Sequence, residues 1–377
     1  MLQDEYIYQE ILEQESIALQ HQQLSRPEWP VHGGRVIITG AGDSYCAALF
    51  GQWLIEQHRP IEALPALEAS RAAPDLGKKD LLIAISVSGY TPRVLEASQR
   101  ALAAGAELAA ITDNPQSPLA QIATNLWPIY ASPVKELQYS NYDDEMAKQY
   151  VGYHHDVAQT KSFWAVLLTL VRAASVEMDW QVLWQHTRTL LAPSFYQPLV
   201  SQAGEWARSQ QTFFLGCGWA KIAARFAVYK MYEFNRLAHF TGIEEYCHTH
   251  YFITRPGDTI VFLIDDFDSA RRAVEIAPVL RDMFSARIIW LQQGTAGSDS
   301  LPAAFMDWLY LLQTPETNQP LQRFLNTILA LEWFTYSIGR VGAPNINTFH
   351  AGYDTERLVA GTLQTIRSST VRVCKAR

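Results

Sequence analysis

Ser86, Ser88 and Thr91 surround a single glycine, Gly89, in the stretch SVSGYT, which follows the apolar run LLIAI and precedes a helical pattern. Hydroxyls crowded at a strand-to-helix turn are suited to holding an anion. They supply O–H and N–H donors, the glycine admits close backbone approach, and the helix dipole favours negative charge by about 0.3–1 kcal/mol. Ser44, in GDSY, offers a further hydroxyl at a neighbouring strand end. One such turn has a bland explanation, because Ser and Thr cap helices for stability alone. Two hydroxyl-rich turns in one sheet point to a phosphate. Asp43 suits an anion poorly; it is expected either to accept a hydrogen bond from a sugar hydroxyl or to cap a helix starting at Tyr45.

A second set of residues suits proton transfer. Lys230 and Glu233 in YKMYEF are spaced i, i+3, so a helix puts them on one face. A carboxylate beside a cation can take a proton from carbon; the bland alternative is a surface ion pair worth ~0–1 kcal/mol. His248 and His250 in EEYCHTH would point the same way from an extended segment. With Glu244 or Glu245 and the His154–Asp156 run HHD they offer a possible metal-ligand set, a general acid, or simply packed imidazoles.

The elements that must position these groups follow from the apolar pattern. A strand over Val36–Thr39, a turn over Gly40–Ser44 and a helix over Tyr45–Glu56 form one unit; DLLIAISVSGYTPRVLEASQRALAAG and AELAAITDNPQSPLAQIA repeat it. Strands alternating with helices predict a parallel sheet covered on both faces, with ligands at the carboxyl ends of its strands. A second copy begins near Gln211. There FFLGCG answers VIITGAG, and Asp265 and Asp266 stand where the first copy has its hydroxyls. Two carboxylates repel an anion, so only the first half is expected to hold one. The predicted architecture is α/β: two doubly wound parallel-sheet domains, three-layer αβα, from an internal repeat. The expected boundaries are a helical arm over 1–30, a phosphate-binding domain over 31–175, a helical connection over 176–210, a second domain over 211–345 carrying the catalytic helix and loop, and a tail over 346–377 closing over the site. Helices are expected over about Trp180–Ser209, interrupted at Pro193 and Pro198, and near Pro320–Gly339.

Composition narrows the class. The 377 residues are 48% hydrophobic and 18% charged, with a formal net charge of −8 and no dense basic run. This disfavours nucleic-acid binding, which needs a Lys/Arg surface. No apolar run reaches the roughly 18 residues of a membrane span. Four scattered cysteines and an acidic, amphipathic start suggest reduced thiols and a cytoplasmic location.

Taken together, GDSY (Gly42–Tyr45), SVSGYT (Ser86–Thr91), ITDNPQSPLA (Ile111–Ala120), VAQTK (Val157–Lys161) and EILEQE (Glu10–Glu15) resemble the SIS (sugar isomerase) domain family. They are most similar to the isomerase half of glucosamine-6-phosphate synthase, the fructosamine-6-phosphate deglycases and the SIS-type deaminases. The resemblance implies an enzyme acting on a ketose- or fructosamine-6-phosphate through an enediol or enolamine, without metal or other cofactor. It implies that Ser44, Ser86, Ser88 and Thr91 hold the sugar phosphate, with Asp43, Val157 and Arg367 among the binding residues. Glu233 would be the enolising base, Lys230 its partner, and His248 the ring-opening group, donated across a homodimer with a shared active site. Three departures stand out. Thr249-His250 replaces Gly-Pro after His248, Arg367 stands where the synthase has Lys, and no glutaminase domain is present, so glutamine is not expected to supply ammonia within this chain. An Arg stays protonated and forms no Schiff base. The alternative is a non-catalytic sugar-phosphate-binding regulator.

Overall fold

The structure is a computed structural model that describes residues 5–29, 33–56, 59–131, 158–294, 301, 303–343, 346 and 365. Ser16–Glu177 forms one compact unit. Met178–Thr355 forms the other, together with the amino-terminal residues up to Glu15. The first helix, α1 (Tyr6–Gln23), therefore contributes to both.

In the first unit β1 (Val36–Gly40), β2 (Glu62–Pro65), β3 (Leu81–Ile85), β4 (Glu107–Thr112) and β5 (Asn125–Pro128) form a parallel sheet in the order β2-β1-β3-β4-β5. Every residue of β1 and β3 is buried, as continuous apolar strands require when both faces are covered. On one face Val94, Ala97 and Ala101 of α4 (Pro92–Ala103) join Leu82, Ala84, Leu108 and Ala110 in one core, with Ala66 and Ala69 of α3 (Ala66–Ala72) and Leu119 of α5 (Pro118–Ile122). The helix α2 (Asp43–Ile55) packs against the largely buried α6 (Lys161–Ala174). Residues 25–29 lie beside β5: Trp127 donates to the Glu28 carbonyl at 3.2 Å and its ring meets Trp29 edge-on at 5.2 Å. That cover protects an edge strand that would otherwise template further pairing.

The second unit repeats the topology. Its strands β6 (Thr212–Gly216), β7 (Ala238–Thr241), β8 (Thr259–Leu263), β9 (Arg287–Gln293) and β10 (Leu309–Thr314) run parallel in the order β10-β9-β8-β6-β7. In each sheet the order reverses between the first strand and the third, so each has a crevice there at its carboxyl edge. The predicted two doubly wound parallel-sheet domains are the observed fold. The flanking helices are α7 (Trp180–Leu191), α8 (Pro193–Trp206), α9 (Ala220–Glu233), α10 (Ile243–His248), α11 (Phe267–Phe284) and α12 (Pro320–Gly339).

The last of these spans the predicted residues and is buried at every position from Leu321 to Gly339 except Arg323, packed on α7, α8 and α9. One expectation fails here. Pro193 opens α8 at its first position, where its missing N–H costs nothing, but Pro198 lies inside that helix and does not end it. The buried face of Tyr196, Leu199, Ala203 and Trp206 carries the helix past the proline. Among the described residues no helix is long and apolar enough to cross a membrane.

Candidate functional site

The hydroxyl loop lies at the carboxyl end of β3. Ser86 is buried and Ser88 and Thr91 are partly exposed. Ser86 Oγ and Thr91 Oγ1 share a hydrogen at 2.9 Å, Gly89 N–H donates to Ser86 Oγ at 3.1 Å, and Tyr90 N–H donates to Ser88 Oγ at 3.3 Å. Thr91 occupies the N-cap of α4 with extended backbone, yet its side chain does not bond the helix. The bland alternative, a hydroxyl that simply caps its own helix, is therefore not what Thr91 does. Pro92 occupies the first helical position and has no N–H, so the first-turn amides of Arg93 and Val94 are left without a side-chain cap. A helix start of this kind suits an anion.

The loop is held from the neighbouring turn. Gly89 has φ +73°, and a β-carbon there would fall 2.0 Å from Ser117 Oγ. Ser117 caps α5 by accepting from Ala120 N–H, Leu119 N–H donates to the Gly89 carbonyl at 3.2 Å, and Thr112 Oγ1 donates to the Val87 carbonyl at 2.9 Å. Glycine is thus demanded twice, by its backbone angle and by the close approach of Ser117. Ser117 and Thr112 were not singled out as site-forming by sequence; the Ser-Pro cap signature of α5 was visible, its contact with Gly89 was not.

Ser44 follows β1, the strand paired beside β3, so its turn and the hydroxyl loop leave neighbouring strands at the same edge of the sheet. The helix begins at Asp43, two residues earlier than predicted, with Gly42 as N-cap. Asp43 is therefore inside the first turn of α2 and does not cap a helix starting at Tyr45.

The corresponding crevice of the second sheet is different. Asp266 caps α11 and exchanges bonds with Ser269 in a capping box, so that helix start is already satisfied. Asp265 is pushed up to about 6 by burial and then by Asp266, against the hydrogen bond from Ser269 and the charge of Arg323. Burial pushes the neighbouring Cys217 thiol up as well, helped by Asp265 and Asp266.

Lys230 and Glu233 end α9, and Lys230 Nζ meets Glu233 Oε2 at 2.6 Å. The lysine is 0% exposed and the glutamate 27%. This rules out the bland reading of a surface pair: the cation is beneath, and the carboxylate reaches the surface. Lys230 Nζ also lies 5.5 Å from the Phe226 ring centre.

The His248 segment is helical, not extended. His248 ends α10, and His250 begins a 3-10 turn over His250–Ile253. The two imidazoles therefore do not point the same way from a strand. His248 is 69% exposed and bonds Glu244 Oε1 at 3.1 Å, while His250 faces His239. Arg272 donates to the other oxygen of Glu244 at 2.6 Å. No cluster able to hold a metal ion exists among the described residues. Val157, Arg367 and the His154–Asp156 run lie outside the described residues.

The SIS domain model matches residues 31–139. Over 173 residues the chain is 30% identical to a 3-hexulose-6-phosphate isomerase of Mycobacterium gastri, an overlap of 46% of this chain and 73% of the isomerase. The chain belongs to the SIS domain family. A glutamine–fructose-6-phosphate aminotransferase (isomerizing) of Caulobacter vibrioides is 33% identical over 101 residues, 26% of this SIS chain and 17% of that enzyme's length. The C-terminal domain of glucosamine-fructose-6-phosphate aminotransferase from Francisella tularensis superposes with a TM-score of 0.70 at 15% identity, covering 92% of this chain and 98% of that one. At that identity the likeness speaks for the shared fold. The SIS match of residues 31–139 contains Ser44, Ser86, Ser88 and Thr91, and the residues Lys230, Glu233 and His248 lie beyond it.

Proposed function

We propose that this SIS protein is a phosphosugar enzyme acting on a ketose-6-phosphate or fructosamine-6-phosphate, by isomerisation, deamination or deglycation through an enediol or enolamine. The carrying observation is the loop at Ser86–Thr91, whose hydroxyls bond one another instead of capping α4. A phosphate there would accept from Ser86, Ser88, Thr91 and Ser44 and from the first-turn amides, anchoring the sugar away from the reacting carbons. Val157 and Arg367 would complete the binding set.

Glu233 would then remove the proton from the carbon beside the carbonyl and return it to the next carbon. Lys230, buried under that carboxylate, holds it in place. His248 would move the proton at the ring oxygen during opening, and its exposure suits donation to a second copy in a cytoplasmic homodimer. No cofactor is needed for this chemistry. The second reading, a sugar-phosphate-binding regulator without turnover, draws on the same exposure of His248 and on Thr249-His250 after it.

The experiment is proton exchange in deuterated water with fructose-6-phosphate and fructosamine-6-phosphates, with calorimetry alongside. Exchange at C1, lost in Glu233→Gln while the heat of binding persists, is the expected outcome. Binding without exchange for every sugar would favour the regulator. Ser88→Ala should weaken binding by ~1–3 kcal/mol; unchanged affinity would remove the loop from the account.

A further inference from the structure

We infer that His239 and His250 form an acid-sensitive latch, fastening the segment that carries His248 to an edge strand of the second sheet. His239 belongs to β7, one of the two edge strands, and its ring stacks on Phe213 of β6 with centres 4.9 Å apart. His250, in the 3-10 turn after α10, meets His239 at 5.7 Å and Phe213 edge-on at 6.2 Å. Three rings thus join β6, β7 and the turn that leads away from His248.

The protons in this cluster are settled by its hydrogen bonds. Gln211 Nε2 donates to the Ile253 carbonyl at 2.7 Å and to Asp258 Oδ2 at 2.9 Å, which fixes the amide orientation and leaves Oε1 as acceptor. His239 Nε2, 2.9 Å from that oxygen, must therefore donate. Thr249 Oγ1 gives its hydrogen to the Glu245 carbonyl, so His250 Nδ1, 2.8 Å away, must donate as well. Each imidazole already spends its one proton, and its other nitrogen is the site of any second. Both rings sit below the ordinary imidazole range: burial lowers them first, and His250 lowers His239 further.

The charges facing them come from several elements. Asp258, fully buried before β8, attracts a charge on His239; its Oδ2 also accepts from Arg255 N–H, and its Oδ1 has no hydrogen-bond partner. Glu245 on α10 attracts a charge on His250. The Arg255 guanidinium is turned to Gln210 at 2.7 Å, and the Tyr246 hydroxyl to Thr254 at 2.7 Å. One imidazolium has a counter-charge. Two in ring contact repel each other, and the separation that relieves them is release of the turn from β7. The contact at Phe213 is lost with it, and α10 loses the anchor behind His248.

The latch stands whether or not Glu233 and His248 are catalytic, and its test needs no substrate. Amide exchange, expressed as protection factors, would be followed across 243–254 and across β8 at about pH 7.5 and about pH 5. A loss of protection of ~10-fold or more on acidification in 243–254, with β8 unchanged, is expected. His250→Phe keeps an aromatic ring in the stack without a titrating nitrogen and should abolish that loss. Should it fail to fold, His250→Gln gives the same comparison. Equal protection at both pH values, an equal loss in β8, or an undiminished loss in the variant would overturn the proposal.

Discussion

Glu233 and Lys230 form a pair whose two halves sit in different surroundings, and the asymmetry has a measurable cost. With the carboxylate gone, the ammonium loses its 2.6 Å partner at a fully buried position; with the ammonium gone, the carboxylate still reaches solvent. Glu233→Gln should therefore cost about 2 kcal/mol in urea unfolding, and Lys230→Met less, about 1 kcal/mol. Equal costs would mean that the two sites are equally solvated. Spacing on a helix was readable as a shared face, but the burial of Lys230 depends on what packs over the last turn of α9, which no local pattern records. Asp265 offers a second case. Its carboxyl is raised to about 6, so folding favours its protonated form: that contribution is whole below the unfolded value and is lost as pH rises through about 6. Asp265→Asn should match the parent near pH 4 and exceed it by about 1–2 kcal/mol near pH 8. No gain at the higher pH would place that carboxyl in water.

At the scale of elements, strands of continuous apolar residues and the helix Pro320–Gly339 were legible, because near-complete burial leaves a run of mostly one chemical kind. The short helix α10 was not: six residues carrying two glutamates and a histidine have no periodicity to set against an extended segment. Pro198 misled for the opposite reason, since a local signal was outweighed by packing. The hydroxyl loops were visible as types of residue, whereas the failure of Thr91 to cap its own helix follows from the proximity of Ser86 Oγ. The end of α12 bears directly on the Lys230–Glu233 pair. A β-carbon at Gly339 would fall 2.4 Å from Phe234 Cγ, at the root of a buried ring adjacent to Glu233. Gly339→Ala should lower stability by about 1–3 kcal/mol in thermal or urea unfolding. A variant as stable as the parent would show that α12 and the end of α9 adjust freely.

At the scale of the whole molecule, acid resistance depends on a buried imidazole of the first helix, α1. His21 is buried, with Nε2 on the Ile129 carbonyl at 2.9 Å and Arg172 beside Nδ1. Burial holds it down to about 4, the Ile129 bond working against that and Arg172 with it. Its neutral form contributes fully above the ordinary imidazole value, and the contribution is lost as pH falls through about 4, up to roughly 3 kcal/mol. Unfolding free energy measured between about pH 7 and about pH 4.5 should fall less steeply in His21→Gln than in the parent. Identical slopes would assign the acid sensitivity elsewhere.

The contact of Gly89 with Ser117 has a kinetic meaning. The turn after β3 and the turn after β4 are keyed into each other, so neither can swing without dislodging its neighbour. On the proposed function, a phosphate entering there would find its donors already in place and forfeit little freedom of the chain on arrival. Under the proposed function, any opening and shutting during turnover would be carried by other parts of the chain, with this corner as the fixed jaw.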